Sequence, residues 1–180
     1  DPEVLIVYGA LLLILGDTQQ YEIVRHEVAA KLSAIDKESR LGAAIKLCCL
    51  APVDEPLAKQ LVALVEKEGF KSRTTKGLVQ YRAGNWQQAK EIFLAGQRQV
   101  PDSINYHLGL ALTCHRLNER DEARRWFELG ERALRKQVGG HDFQLKHYDL
   151  MLSQLLHREA AELLGVKTEA AAQAVPPKTE

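Results

Sequence analysis

The chain has 180 residues, 46% of them hydrophobic and 27% charged, which is typical of a globular protein with one sizeable core. Lys and Arg together number 24, as do Asp and Glu, so the net charge is zero. A neutral chain has no overall attraction for nucleic acid or anionic lipid, and neither is expected as a partner. Cys48, Cys49 and Cys114 form no CxxC pair and lie among apolar residues, which indicates buried, reduced thiols in a cytoplasmic protein.

Helical periodicity runs through the chain, and no segment alternates as a strand does. Breaks at Gly and Pro divide it into nine predicted helices. The first six are expected at about 2–15, 18–33, 37–50, 54–69, 72–83 and 86–100. The seventh begins after residue 103 and pauses at 118, the eighth runs on to 137, and the ninth spans 142–164. Asp54 is expected to cap the fourth helix, with Pro56 in its first turn. These helices form four pairs and one terminal helix.

Two parts of the chain differ from the rest in composition. Residues 4–15 are almost wholly apolar, but a run of twelve is too short to cross a bilayer and predicts a buried helix. The terminal helix is amphipathic, with apolar residues at three- and four-residue spacings, and residues 166–180 are expected to be a tail or linker. Because the chain begins without Met, we expect a piece of a longer protein.

Two segments repeat at an offset of 34 residues, the period of tetratricopeptide repeats. The matched pairs are Arg82 and Arg116, Ala89 and Ala123, Phe93 and Phe127, and Gly96 and Gly130. A small alanine lets paired helices approach closely, and the phenylalanine is expected to fill the space between neighbouring pairs. Gly84 and Asn118 suit the turn inside each pair, since both tolerate left-handed backbone angles.

On these residues, segment 77–101 closely resembles a tetratricopeptide repeat, and segment 105–134 resembles one less closely. The wider order of Gly16-Asp17, Ala51-Pro52 and Ala83-Gly84 is similar to C-terminal repeat regions of bacterial multidomain proteins, notably planctomycete serine/threonine kinases and WD40-repeat proteins. The N-terminal pair departs from the pattern, because bulky Tyr21 stands where a small residue is usual. No glycine-rich loop, HRD or DFG motif is present, so the resemblance implies no kinase activity here.

The resemblance implies an all-α, right-handed solenoid of about four helical hairpins with a C-terminal capping helix. The expected domain is 1–165, with the clearest repeats at 71–102 and 104–137 and the capping helix at 142–164. In such an array, the first helix of each pair lines a concave groove. Its exposed positions, the predicted peptide-binding site, are Lys71, Thr74, Leu78, Tyr81, Arg82, Asn105, Leu108, Leu112, His115 and Arg116.

Arg82 and Arg116 lie one repeat apart and are expected about 10 Å from each other on one face of the groove. Two guanidinium groups at that spacing can bind carboxylates of an acidic peptide. The alternative is that basic residues at this position are simply solvated.

No motif of a known catalytic site is present, and His107, Cys114 and His115 lack the further ligands that a metal needs. No cofactor or metal is therefore expected. The sequence predicts a non-catalytic protein–protein interaction module, a scaffold or adaptor within a larger bacterial protein. The alternative is self-association, in which the apolar N-terminal helix packs against another copy as a homodimer or against a neighbouring domain.

Overall fold

The structure, a computed structural model, describes residues 2–67, 70–139 and 147–166 of the chain. These ranges contain nine α-helices and no β-strand, which confirms the predicted all-α class. The helices are α1 (Pro2–Ile14), α2 (Thr18–Ala29), α3 (Glu38–Cys48), α4 (Glu55–Val65), α5 (Arg73–Arg82), α6 (Trp86–Gln99), α7 (Ile104–Arg116), α8 (Arg120–Gly139) and α9 (His147–Leu164). The 3-10 turn Leu32–Ala34 follows α2, so that helix is shorter than predicted. The predicted tail beyond 166 and the predicted start of the terminal helix at 142–146 lie outside the described residues.

Caps and left-handed turns set several helix ends. Asp54 accepts a hydrogen bond of 3.0 Å from the backbone N–H of Leu57, with Pro56 in the first turn, which confirms the predicted start of α4. Gly84 and Asn118 have φ angles of 80° and 63°, in the left-handed region. Both predicted turns, between α5 and α6 and between α7 and α8, therefore form as expected.

Phe93 of α6 packs between glycines on two neighbouring helices. Its side chain is fully buried, as is that of Ala89 one turn earlier. A Cβ atom added at Gly77 of α5 would lie 2.4 Å from the Phe93 ring, and one added at Gly109 of α7 would lie 2.7 Å from it. The aromatic ring thus fills the space between the two pairs, as the repeat predicts, and it fits because the facing positions carry no side chain.

Tyr21 of α2 is fully buried, although the repeat pattern favours a small residue at its position. Its hydroxyl donates a 2.9 Å hydrogen bond to the Leu47 carbonyl in α3. Gly9 of α1 lies beside the ring, where an added Cβ would be 3.5 Å away. The N-terminal helices are therefore joined to α3 by a large side chain and a buried hydrogen bond. In this way the fold accommodates a tyrosine where the repeat pattern has a small residue.

The first helices of the four predicted pairs, α1, α3, α5 and α7, contact one another in chain order. Helix α9 packs against α1, α7 and α8, and its side chains also bond to α3 and α5. It therefore touches all four first helices as well as α8. We call the side of α1, α3, α5 and α7 that contacts α9 the inner face. Its polar contact residues are Lys46, Tyr81, Arg82 and Asn105.

Candidate functional site

Arg82, at the end of α5, is a buried charged group of the inner face whose guanidinium donates several hydrogen bonds. Its side chain is only 3% exposed. Two guanidinium nitrogens donate to the two carboxylate oxygens of Glu159 in α9, each at 2.7 Å, and Nε donates to the Cys49 carbonyl at 2.9 Å. A bidentate arginine–carboxylate pair combines strength with fixed geometry. Arg82 therefore joins α5 to the end of α3 and to α9.

Tyr81 adds a second donor to the same carboxylate. Its hydroxyl donates a 2.9 Å hydrogen bond to Glu159, and the Arg82 guanidinium lies 5.2 Å from the centre of its ring. Burial raises the pKa of the Tyr81 hydroxyl to about 12, and the charge of Glu159 acts in the same direction. The phenol is therefore protonated at neutral pH and available as a donor.

Two further polar contacts connect α9 to the inner face. Lys46 of α3 lies 3.3 Å from the Asp149 carboxylate, with both side chains largely buried. The Ser153 hydroxyl donates a 2.8 Å hydrogen bond to the side-chain oxygen of Asn105 in α7, and both residues are buried. Polar groups buried in this way fix the position of a helix along its axis, because any shift leaves them unpaired.

Apolar residues of α9 fill the space between these contacts. Leu152, Leu156 and Ala160, each four residues after the last, are almost fully buried. The carboxylates of Asp149 and Glu159 are ten residues apart, about 15 Å at the helical rise of about 1.5 Å per residue. The inner face thus holds an amphipathic helix by an apolar stripe with a carboxylate near each end.

The ten residues of the predicted groove are not all exposed as expected. Those that are buried are Leu78, Tyr81, Asn105, Leu108 and Leu112, together with the Arg82 side chain. Thr74 and His115 are half-buried, and Lys71 and Arg116 are exposed. For the six buried residues the predicted exposure is wrong, because α9 and the neighbouring helices cover this side of α5 and α7.

The two predicted arginines differ in their surroundings. Arg82 binds a carboxylate, but that carboxylate belongs to the same chain. Arg116 is exposed, and it lowers the pKa of the nearby Tyr81 hydroxyl, against the larger effect of burial. Lys71 lies away from both, in a cleft beside Phe70 and Glu91. The basic pair therefore does not form an open clamp on one surface.

Four residues of the inner-face contact are absent from the prediction: Lys46, Asp149, Ser153 and Glu159. A signal for two of them exists in α9, where polar residues occupy positions of the apolar stripe. Asp149, Ser153 and Leu156 follow at steps of four and three, so the first two share a face with buried leucines. A polar residue on the apolar face of a helix predicts a polar group opposite it.

His157 of α9 makes the stability of the fold depend on pH. Its ring stacks on Phe127 of α8 with centroids 4.9 Å apart, and Nε2 lies 3.5 Å from the Glu131 carboxylate. Burial lowers the pKa of His157, although the charge of Glu131 opposes this effect. The unfolded chain therefore binds the proton more tightly. Stability that is present above the ordinary histidine pKa of about 6.5 is lost as the pH falls through it.

We expect the melting temperature of the wild type to fall between about pH 7.5 and pH 5.5, and the fall to be smaller in His157→Gln. Circular dichroism during heating measures it. His107, which stacks on Trp126 and whose pKa burial also lowers, contributes with the same sign. The control is His26→Gln, a change at an exposed histidine of α2. If the melting temperatures of the wild type and of His157→Gln changed equally with pH, this role of His157 would be contradicted.

The three cysteines are buried and free, as predicted, and burial raises the pKa of each thiol to about 12, so they are poor nucleophiles at neutral pH. In the described part of the chain, no three His, Cys, Asp or Glu side chains converge as metal ligands. None of the described helices is both long and apolar enough to cross a membrane.

Comparisons with models of protein families, with curated proteins and with solved structures found no match to this chain.

Proposed function

We propose that this chain is a non-catalytic interaction module, a helical array of the tetratricopeptide kind whose inner face binds an amphipathic α-helix. The observation that carries the proposal is the buried, bidentate contact between Arg82 and Glu159, to which Tyr81 adds a third hydrogen bond. Such a contact selects a carboxylate at one position along a helix. Binding of a helix in a groove has this general form, with apolar anchors for affinity and polar groups for register.

Further support comes from the packing of the repeats. The 34-residue period, the Phe93 ring between two glycines and the left-handed turns at Gly84 and Asn118 are features that a tetratricopeptide-like, right-handed superhelix requires. In such an array the first helices line the concave side, and the proposal takes the inner face to be that side.

In this proposal α9 is the resident occupant of the inner face, and a helix from a partner protein exchanges with it. The partner helix carries the same pattern as α9: a carboxylate, a small hydroxyl residue four positions later, and a second carboxylate six positions beyond, beside an apolar stripe. The module then acts as a scaffold or adaptor in a larger bacterial, cytoplasmic protein. When the partner helix displaces α9, the released α9 signals that the partner is bound.

The test must account for the tether between α9 and its site. A tethered segment has an effective concentration on the order of millimolar, so a free peptide competes poorly with intact α9. The receptor is therefore the Glu159→Ala chain, in which Arg82 lacks its carboxylate. The probe is a fluorescent peptide of residues 147–166 with the wild-type sequence, and its control carries the Glu159→Ala change.

We expect the wild-type peptide to bind the Glu159→Ala chain at least about tenfold more tightly than the control peptide does. Fluorescence polarisation measures both affinities, and circular dichroism checks that the receptor is folded. A Glu162→Ala chain is the matched receptor control, since in the described part of the chain the Glu162 side chain bonds to exposed Arg158 on the same helix. No binding by either peptide would show α9 to be a permanent part of the fold, and equal affinities would show that Arg82 does not select a carboxylate. Either result would reject the proposal.

A further inference from the structure

Helix α1 presents apolar side chains to solvent along its whole outer side. Every exposed residue between positions 4 and 15 is apolar: Val4 (64% exposed), Tyr8 (43%), Leu11 (40%), Ile14 (41%) and Leu15 (79%). The opposite side of the helix, with Ile6 and Ala10, is fully buried. The helix predicted to be buried is thus covered on one side only. A helix that is apolar all round is normally enclosed on all sides.

The spacing of the exposed residues is that of a coiled-coil seam. Val4, Tyr8 and Leu11 of α1 and Leu15, which directly follows the helix, come at steps of four, three and four, so they form one stripe with a period of 3.5 residues. Leu15 continues the helical turn, since its backbone N–H donates a 2.9 Å hydrogen bond to the Leu11 carbonyl. This order of steps is the same in both directions along the helix. An antiparallel copy of the helix would therefore place Val4 opposite Leu15 of the second copy, and Tyr8 opposite Leu11 of the second copy.

We propose that the chain forms a homodimer in which the outer stripe of α1, made by Val4, Tyr8, Leu11 and Leu15, packs antiparallel against the same stripe of a second copy. A twofold interface requires a surface that is complementary to itself. The symmetric spacing of the stripe meets this requirement. Positions 4–15 contain no charged residue, so the stripe itself brings no like charges together. The nearest charged residues, Glu3 and Asp17, lie just beyond its two ends.

A second copy fits this stripe better than a membrane surface does. Helices that lie on anionic membranes carry Lys or Arg beside their apolar face. In this chain the first basic residue is Arg25, beyond α1, whereas Asp17 and Glu22 come before it. The antiparallel arrangement also sets the two helix dipoles against each other, which favours pairing of the helices.

The size of the stripe sets the expected strength of the dimer. From Val4 to Leu15 it is about 17 Å long at about 1.5 Å per residue. A pair of stripes of this length buries less than the roughly 800 Å² per partner of a standard stable interface. We therefore expect a dissociation constant on the order of 10 μM, reached within ordinary working concentrations.

Sedimentation equilibrium of the full 180-residue chain, from about 1 to 200 μM, tests the dimer. We expect the mass to rise from 20.2 kDa towards twice that value. Leu15→Lys, a change at the most exposed residue of the stripe, is expected to raise the dissociation constant at least about tenfold, because it puts a charge into an apolar contact. Val100→Lys, at an exposed apolar residue of another helix boundary, is expected to leave it unchanged.

Three results would overturn the proposal. The first is a wild-type chain that stays monomeric at the highest concentration. The second is a Leu15→Lys chain that dimerises as strongly as the wild type. The third is a monomeric wild-type chain that binds phosphatidylcholine vesicles, with the binding abolished by Leu15→Lys. Circular dichroism of Leu15→Lys and Val100→Lys shows that any loss is not due to unfolding.

Cysteine cross-linking tests the antiparallel arrangement. The native cysteines are buried, so a cysteine introduced at the exposed position Val4 or Leu15 is the reactive one. A mixture of the Val4→Cys and Leu15→Cys chains is expected to form an intermolecular disulfide under mild oxidation, whereas either chain alone does so at least about tenfold more slowly. Faster cross-linking of Leu15→Cys alone than of the mixture would show a parallel pair and refute the antiparallel dimer.

Discussion

Glu159→Ala is expected to lower the free energy of unfolding by about 3 kcal/mol, because it leaves the buried Arg82 guanidinium without its counter-charge. The Arg82 side chain is 3% exposed, and its other hydrogen bonds within the described residues go to the carbonyls of Cys49 and Leu50. The Tyr81 hydroxyl loses its acceptor in the same variant. Urea unfolding followed by circular dichroism measures the loss.

Glu162→Ala is the matched control for this change. Glu162 lies on the same helix three residues later, and its bond is to exposed Arg158, so its removal is expected to change the free energy of unfolding by less than about 0.5 kcal/mol. If the two variants were equally stable, the ion pair between α5 and α9 would not hold α9 in place.

Gly109→Ala is expected to destabilise the fold by about 2 kcal/mol, since the new methyl group would lie 2.7 Å from the Phe93 ring. The ring is fully buried and also faces Gly77, so it has no free space into which to move. The clash outweighs the gain of roughly 1 kcal/mol that alanine normally brings to a helix in place of glycine.

Gly42→Ala is the control for the change at Gly109, because its methyl group would meet Phe70 at 3.9 Å, an ordinary contact. Here the helix propensity of alanine dominates, and we expect a gain of about 0.5 to 1 kcal/mol. Thermal and urea unfolding give both values. The destabilisation by Gly109→Ala should also shrink when Phe93→Leu is present; an unchanged loss would mean that this ring is not the cause.

The local features of the fold could be predicted from sequence because each depends on residues close together in the chain. The helix cap at Asp54 and the turns at Gly84 and Asn118 follow from the backbone preferences of those residue types. The place of Phe93 follows from its position within a repeat. The same reasoning placed Tyr81 and Arg82 in an exposed groove for an acidic peptide, whereas both side chains are buried and bond to Glu159 of the same chain.

The occupant of the inner face could not be predicted in the same way. Arg82 and Glu159 are 77 residues apart, and no local pattern states which helix surface will cover which. The predicted groove residues were therefore expected to be exposed, although α9 covers several of them. For α1, apolar composition alone predicted a buried helix. Its outer stripe is exposed because α2, α3 and α9, which contact α1, pack against its other sides.

Hydrogen exchange of the backbone amides tests most directly the central claim that Arg82 and Glu159 hold α9 on the inner face. In the wild type, amides of residues 148–164 should be protected, but less than those of α7, as expected of a helix that a partner can displace. Glu159→Ala should reduce protection in α9 much more than in α6. Exchange of α9 amides at the rate of an unstructured peptide in the wild type, with α7 still protected, would contradict the account.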